Sequence, residues 1–524
     1  YGQTWEIISP DLTTNDTAKQ HPEKSGGLTL DATNAENHCT LLSIAPSPKE
    51  ANVIWVGTDD GNLQLTRDGG KTWTNLTASL PNVPKNAWIP HIEPSAHQAG
   101  EAFVIVNQYR LNDWKPYAYH TIDFGKTWTR IADERQVNGF CLSIVQDPVE
   151  PDLLFLGTDF GLYVSINHGK NWTKWTNDFP SVPVADLKIQ ARDGDLVIAT
   201  FGRALWILDD IRPLRAITRS KGDVLNKKFK IFDPADAHQV TMRSTDGERF
   251  NAEAIYEGQN KSPQAIFSIW NGSYKKDEKL KLQFVSEKGD TIRTIRVPLD
   301  SQMSRVRWGL NRKGIHFPSY DEPKKDDEPS APGVLPGRYK VIGSYGKEKD
   351  STWIQVRLDA RSDRSLADFQ SKMDAQNDYM KMIEKITKSW NALKEADKWV
   401  GNAEIGIGNA PDTVKTAIAK QGKSMRDSIS TLMKLFLEPK DVKGISRNPS
   451  VLGNMIFEPM QYLGSASGKP TQNALYAVEK VRQAARPILE KVNQFFEKDW
   501  SKYQEAVEKA RTNLSMKYEA VKID

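Results

Sequence analysis

Short apolar runs broken by turn residues fill the first 210 positions of this 524-residue chain. Leu41-Leu42-Ser43-Ile44, Val53-Ile54-Trp55-Val56-Gly57-Thr58 and Leu63-Gln64-Leu65 predict three strands in succession. The same order returns as Cys141-Leu142-Ser143-Ile144-Val145, Leu153-Leu154-Phe155-Leu156-Gly157-Thr158 and Leu162-Tyr163-Val164. A longer copy over 86–131 lies between them, with Phe103-Val104-Ile105-Val106 as its clearest strand and an insertion at 109–117. Residues 183–212 give a last copy, Asp195-Leu196-Val197-Ile198-Ala199-Thr200 followed by Leu205-Trp206-Ile207-Leu208. Short strands at steady spacing, each closed by turn residues, predict a repeated four-stranded sheet. Over 228–358 apolar and polar positions alternate instead, most clearly in Leu280-Lys281-Leu282-Gln283-Phe284-Val285, as in a strand buried on one face. From Ser365 the period becomes helical. Leu366, Phe369, Met373, Met380, Ile383, Trp390 and Leu393 form one seam, a second helix is expected from Pro411 to before Pro439, and a third over 471–517 carries Leu475 on its apolar face. Pro487 removes a backbone donor inside that third helix, so a kink is expected there.

The turns carry their own signature. Thr66-Arg67-Asp68-Gly69-Gly70-Lys71-Thr72-Trp73 returns as Thr121-Ile122-Asp123-Phe124-Gly125-Lys126-Thr127-Trp128, and as Ser165-Ile166-Asn167-His168-Gly169-Lys170-Asn171-Trp172 with Asn for Asp. Tyr1-Gly2-Gln3-Thr4-Trp5 reads as the tail of a further copy. Asp or Asn can bond the amides of its own turn, Gly takes a positive φ, and the trailing Trp needs burial by a neighbour.

These residues resemble the Asp-box, S/T-x-D-x-G-x-T-W, of the sialidase-like β-propeller superfamily. That superfamily includes sialidases, xyloglucanase-type glycoside hydrolases, sortilin-type receptors and photosystem-assembly-factor-like proteins. The resemblance implies that Asp68, Gly70, Trp73, Asp123, Gly125, Trp128, Asn167, Gly169 and Trp172 are turn structure on the outer rim, away from the channel. Ala199-Thr200-Phe201-Gly202-Arg203 with Trp206-Ile207-Leu208-Asp209-Asp210 resembles the closing segment of bacterial sortilin-like and glycosyl-hydrolase-like propellers. Trp308-Gly309-Leu310 and Pro336-Gly337-Arg338-Tyr339-Lys340-Val341 resemble an Ig-like module, bracketing an acidic, Lys- and Pro-rich loop over 321–332. The expected fold is therefore mainly β. It comprises the C-terminal blades of an Asp-box propeller over 1–220, an Ig-like β-sandwich over 221–361 and a three-helix antiparallel α-helical bundle over 362–524. Residues 1–9 are expected to finish an earlier blade, and the remaining blades and any targeting segment to lie in a preceding part of a longer protein.

Composition narrows the function. The first 220 residues hold 19 Lys+Arg against 26 Asp+Glu, and the whole chain is only +4, so no basic footprint for nucleic acid exists. No run is long and apolar enough to span a membrane. Cys39 and Cys141 are the only cysteines, expected as two free buried thiols on inner strands. The eight histidines show neither HxxxH nor HExxH spacing, no Gly-rich loop precedes a helix, and no nucleophile elbow is present. Neither metal nor cofactor is expected.

Catalysis finds no positive signal. A sialidase needs an arginine cluster with a Tyr–Glu pair, and only Arg203 is placed to face a channel. A xyloglucanase-type enzyme needs two carboxylates across a cleft. Asp59 and Asp159 are repeat-equivalent, which reads as a turn role in each blade. Binding is the stronger expectation. Thr58, Asp59, Thr158, Asp159, Thr200 and Arg203 are candidates at strand ends, with Trp88, Trp114 and Tyr117 placed to stack on sugar or pack a peptide. The expected protein is a secreted, periplasmic or outer-membrane-associated scaffold that binds a peptide or protein in an envelope complex, the alternative being a glycoside hydrolase completed by missing blades. Asp-(Ser/Thr)-aliphatic triplets at Thr17, Thr291, Thr413 and Ser428 resemble the O-glycosylation pattern of Bacteroidota envelope proteins.

Overall fold

A computed structural model describes residues 2–21, 38–240, 262–323, 328–407, 410–439, 448–466 and 468–510. Residues 22–37 of the polar loop expected over 10–37, the centre of the 321–332 loop and the part of the expected third helix beyond 510 lie outside the described residues.

Four sheets stand side by side as the blades of a β-propeller. Blade 1 comprises β1 (Leu41–Pro46), β2 (Ile54–Thr58), β3 (Leu63–Thr66) and β4 (Thr74–Asn75). Blade 2 comprises β5 (Trp88–Pro94), β6 (Ala102–Gln108), β7 (Asp113–Thr121) and β8 (Thr129–Ala132). Blade 3 is β9 (Cys141–Gln146), β10 (Leu154–Thr158), β11 (Gly161–Ser165) and β12 (Thr173–Lys174). Blade 4 has three strands, β13 (Val184–Gln190), β14 (Asp195–Thr200) and β15 (Leu205–Leu208).

Central strands are apolar throughout because both of their faces are buried. In β6, Val104 and Val106 join Trp55 and Ile89 in the core between blades 1 and 2, while Phe103 and Ile105 join Ile144 and Leu156 in the next core. Each such side chain contributes about 1.5–3 kcal/mol of burial. Gly57 and Gly157 let the next blade approach, since a Cβ would stand 2.5 Å from the carbonyl oxygen of Ile89 or of Val184. At the two ends of the arc, Leu41, Leu42 and Ile44 on one side and Phe201, Leu205 and Ile207 on the other are exposed.

Helix α1 (Arg212–Arg219) closes the blades from below through Arg215, whose Nε donates to both oxygens of the fully buried Asp147 at 3.1 and 2.9 Å. A sandwich follows. One sheet is β16 (Phe229–Ile231), β18 (Ala265–Asn271) and β21 (Gln302–Trp308). The other has β17 (Ala237–Gln239), β19 (Lys279–Ser286), β20 (Thr291–Pro298), β24 (Gly337–Tyr345) and β25 (Glu348–Leu358), and β22 (Asn311–Lys313) pairs with β23 (Ser330–Gly333). Phe267, Phe284 and Trp308 fill the space between the sheets.

The helical part starts at Ser365, which caps α2 (Leu366–Gly406) in a reciprocal pair with Asp368. Then come α3 (Asp412–Phe436), α4 (Leu452–Met455), α5 (Phe457–Ser465), α6 (Gln472–Gln494) and α7 (Ser501–Ala510). The segment 316–320 straps the sandwich to α2: Thr387 donates to the carbonyl of His316 at 3.0 Å and Trp390 Nε1 to that of Ser319 at 2.9 Å. Among the described residues, no helix is long and apolar enough to cross a membrane.

Several expectations are corrected. Residues 3–9 form no strand; Ile8 instead packs on the turn at Gly70, and its carbonyl accepts from Trp73 Nε1 at 3.0 Å. Cys39 precedes β1 at φ +68 and is half-buried, whereas Cys141 is buried in β9; both thiols are free. Helix α6 runs on through Pro487, and the departure comes later, as a π turn over Phe495–Trp500. That wide turn adjusts the helical phase so that Phe495, Trp500, Tyr503 and Val507 all stay buried. Leu475 is exposed, and α6 buries Ala474, Ala477, Val478 and Val481 instead, because small side chains allow close helix approach. Two short helices, α4 and α5, lie between the second and third long ones.

Candidate functional site

The antiparallel order of each blade puts the hairpins β2–β3, β6–β7, β10–β11 and β14–β15 at one end, and the Asp/Asn–Gly turns at the other. At the turn end, Asp68 accepts from the Thr72 amide at 2.9 Å and the Thr72 hydroxyl at 2.7 Å, and Asp123 does the same with Thr127 at 2.9 and 2.6 Å. These bonds hold both carboxyls down at about 2. Asn167 accepts from the Asn171 amide at 2.9 Å. Gly70, Gly125 and Gly169 all have positive φ. Trp73 and Trp128 donate to the carbonyls of Gly70 and Gly125, and Trp172 to that of Ile131.

The hairpin end gathers the other sequence-predicted residues. Thr58 and Thr158 close the second strands of blades 1 and 3, both fully buried, and Thr200 stands at the same place in blade 4, where its hydroxyl donates to the Ala204 carbonyl at 2.6 Å. Asp59 donates its amide to the Thr40 carbonyl and accepts from the Thr40 amide at 2.8 Å; Asp159 donates its amide to the Phe140 carbonyl. Burial pushes both carboxyls up, against the Thr40 amide and then His38 in the case of Asp59. Asp159 Oδ1 is buried without a hydrogen-bond partner among the described residues, and a Cβ on Gly139 would stand 1.7 Å from it. Asp59 and Asp159 sit in blades 1 and 3 with blade 2 between. Arg203 is exposed, and its guanidinium donates to the carbonyl of Gly202 beside it.

The insertion at 109–117 builds an aromatic ledge on this end. Tyr109 stacks on Phe140 with ring centroids 4.3 Å apart, and Trp114 leans on both at 6.1 and 5.8 Å. The Arg110 guanidinium covers the Trp88 ring at 3.3 Å and the Tyr109 ring at 4.4 Å. Trp114 remains 54% exposed, and Phe160, beside Gly139, 47%. Tyr117 is excluded from the ledge surface: it is buried, donates to Asp113 at 2.9 Å and lies under Arg130. Trp114 Nε1 donates to Asn112 Oδ1 at 2.9 Å, so the ledge offers ring faces rather than polar atoms.

Two features escaped sequence reasoning. On the inner strand β5, Glu93 is half-buried and its carboxyl is pushed up to about 7, mainly by desolvation, with Lys188 and the Gln146 amide opposing. Burial likewise lowers the neighbouring His91, whose Nε2 lies 2.8 Å from the Ile144 carbonyl. At the turn end, Glu101, His120 and His168 bring their ligand atoms together from two blades. The signal for both is contact between strands far apart in sequence, which spacing along the chain does not carry.

No family model and no curated protein matches the chain. Among solved structures, it is similar to YCF48 from Cyanidioschyzon merolae at 21% identity, over 32% of this chain and 52% of that one, with a TM-score of 0.25. It is also similar to YCF48 bound to D1 peptide (14%, 60% and 81%, 0.24) and to the GH74 xyloglucanase from Xanthomonas campestris (14%, 64% and 47%, 0.28). The first match spans about half of its YCF48 chain. At these scores the likeness carries no argument, and the fold stands on the sheets described above.

Proposed function

We propose that the chain is a non-catalytic binding protein whose hairpin-end ledge, Trp88, Tyr109, Arg110, Trp114, Phe140 and Phe160, docks an extended peptide segment of a protein partner. The observation that carries this reading is the exposure of Trp114 on the packed Tyr109–Phe140 stack, with Phe160 exposed nearby beside Gly139. Large ring faces with few free polar atoms favour apolar and aromatic side chains of a peptide; a sugar needs hydrogen bonds around its ring as well as a platform. The peptide bound to one YCF48 structure is a property of that protein. The sandwich, of Ig-like type in this reading, and the helical bundle would attach the ledge to a larger secreted or cell-envelope assembly.

The test is selection from a displayed peptide library on the intact chain, with Trp114→Ala and Phe160→Ala as counter-targets. The expected result is a set of peptides with an aromatic anchor whose affinity falls at least about tenfold on either variant, since exposed interface aromatics commonly contribute more than about 1 kcal/mol. Peptides that bind the variants equally well would refute the ledge. Hydrolysis of xyloglucan or release of sialic acid would refute the non-catalytic reading.

A further inference from the structure

Glu101 immediately precedes β6, His120 lies at the end of β7 immediately before the turn of blade 2, and His168 sits inside the turn of blade 3. His120 Nε2 is 3.0 Å from Glu101 Oε1, His168 Nε2 is 3.0 Å from the same oxygen, and the two nitrogens are 3.1 Å apart. The side chains are 6% exposed for Glu101, 14% for His120 and 23% for His168. Phe103 stacks on the His120 ring at 4.7 Å and closes the inner side.

The contacts around this triangle constrain its protons. His168 Nδ1 lies 3.2 Å from the Pro151 carbonyl and 3.3 Å from Asp152 Oδ1, both acceptors, so Nδ1 carries the proton. A neutral His168 then points its Nε2 lone pair at the Glu101 carboxylate. One N–H on His120 can serve the carboxylate or His168, but it leaves the His168–Glu101 contact as two lone pairs face to face. A second proton on His168 or a single cation at the centre removes the conflict, and the even 3.0–3.1 Å spacing of all three ligand atoms suits the cation. A zinc ion with its ordinary bonds of roughly 2.0–2.1 Å fits about 1 Å above the centre of so small a triangle, close to one face of a tetrahedron. The Pro151 carbonyl and Asp152 hold the His168 ring from behind, as outer partners of metal-bound imidazoles do.

We propose that Glu101, His120 and His168 form a binding site for one divalent transition-metal ion of the zinc class, which clamps blade 2 to the turn of blade 3. Water completes the shell from the solvent side. The site lies at the opposite end of the blades from the aromatic ledge and does not depend on how the ledge is used.

The experiment uses the intact chain stripped with a chelator and titrated with zinc by calorimetry, then with cobalt(II) by visible absorption. The expected results are one zinc per chain, a tetrahedral cobalt spectrum that zinc displaces, and an affinity at least about 100-fold lower in His168→Ala and His120→Ala. X-ray absorption on the zinc-loaded wild type, which needs no variant to fold, should show two imidazole ligands. No saturable uptake up to millimolar zinc would overturn the proposal and leave a proton-bridged His–Glu cluster. Uptake undiminished in both variants, or a zinc shell without imidazole, would place the ion elsewhere and overturn it equally.

Discussion

Glu93 gives the sharpest energetic test of the blade packing. Its carboxyl is held up to about 7 by burial on the inner strand of blade 2, despite the opposing Lys188 and Gln146 amide. The ordinary value is 4.5, so the native state prefers the protonated acid. A folded pKa above the unfolded one stabilises at low pH; that contribution is complete below about 4.5 and is lost as pH rises through about 7. The gap corresponds to about 3 kcal/mol by pH 8.5. Glu93→Gln keeps an oxygen for the Gln146 amide and cannot ionise. The variant should match the wild type at pH 4.5 and exceed it by about 2–3 kcal/mol at pH 8.5. The assay is urea unfolding at both pH values, with hydrogen exchange of the β5 and β9 amides as the local reporter. An equal effect at both pH values, or a less stable variant at pH 8.5, would refute the argument that desolvation governs this group.

Three further perturbations separate the roles of turns, ion pair and ledge. Arg215→Ala leaves the fully buried Asp147 without its cation and should cost about 3–5 kcal/mol in unfolding free energy, most of it recovered in the double variant Asp147→Asn/Arg215→Met, where no buried charge remains. Asp68→Asn should be nearly neutral at pH 7, because Asn167 does the same work in blade 3, whereas Asp68→Ala should lower the melting temperature; the wild-type carboxyl stabilises above about pH 4, and thermal scans should show that contribution fading as pH falls through about 2. Gly139→Ala forces a Cβ against Asp159 at φ +78 and should cost about 1–3 kcal/mol while weakening peptide capture, both measurable on one sample.

Local signals were the legible ones. The Asp–Gly–Trp turns, the apolar central strands and the helix starts at Ser365, Pro411 and Thr471 all depend on residues within a few positions, and each shows in the sequence as clearly as in the fold. Leu475 misled because hydrophobicity alone does not say which face is close-packed, and α6 turns its alanines inward. Pro487 misled in a related way. One missing donor inside a long packed helix is tolerated, while the aromatic crowding of Phe495, Phe496, Trp500 and Tyr503 goes with the π turn. At the candidate site, Trp114 was visible in the aromatic insertion and Trp88 as a Trp at the start of the same blade, but Tyr117 looked equivalent and is buried. Arg110 meets Trp88 across blade 2, and Phe140, which leads into blade 3, joins Tyr109 and Trp114 only through contact between blades. Glu93 and the Glu101–His120–His168 triangle are likewise products of neighbouring strands and have no linear motif.

The central claim is that peptides dock on the hairpin end of blades 2 and 3. It is tested most directly by hydrogen–deuterium exchange of the intact chain with and without a selected peptide. The account predicts slowed exchange at 108–117, 138–141 and 158–161, with the turns at 66–72, 121–127 and 165–171 unchanged. Protection confined to those turns, or to the sandwich or helices, would contradict it.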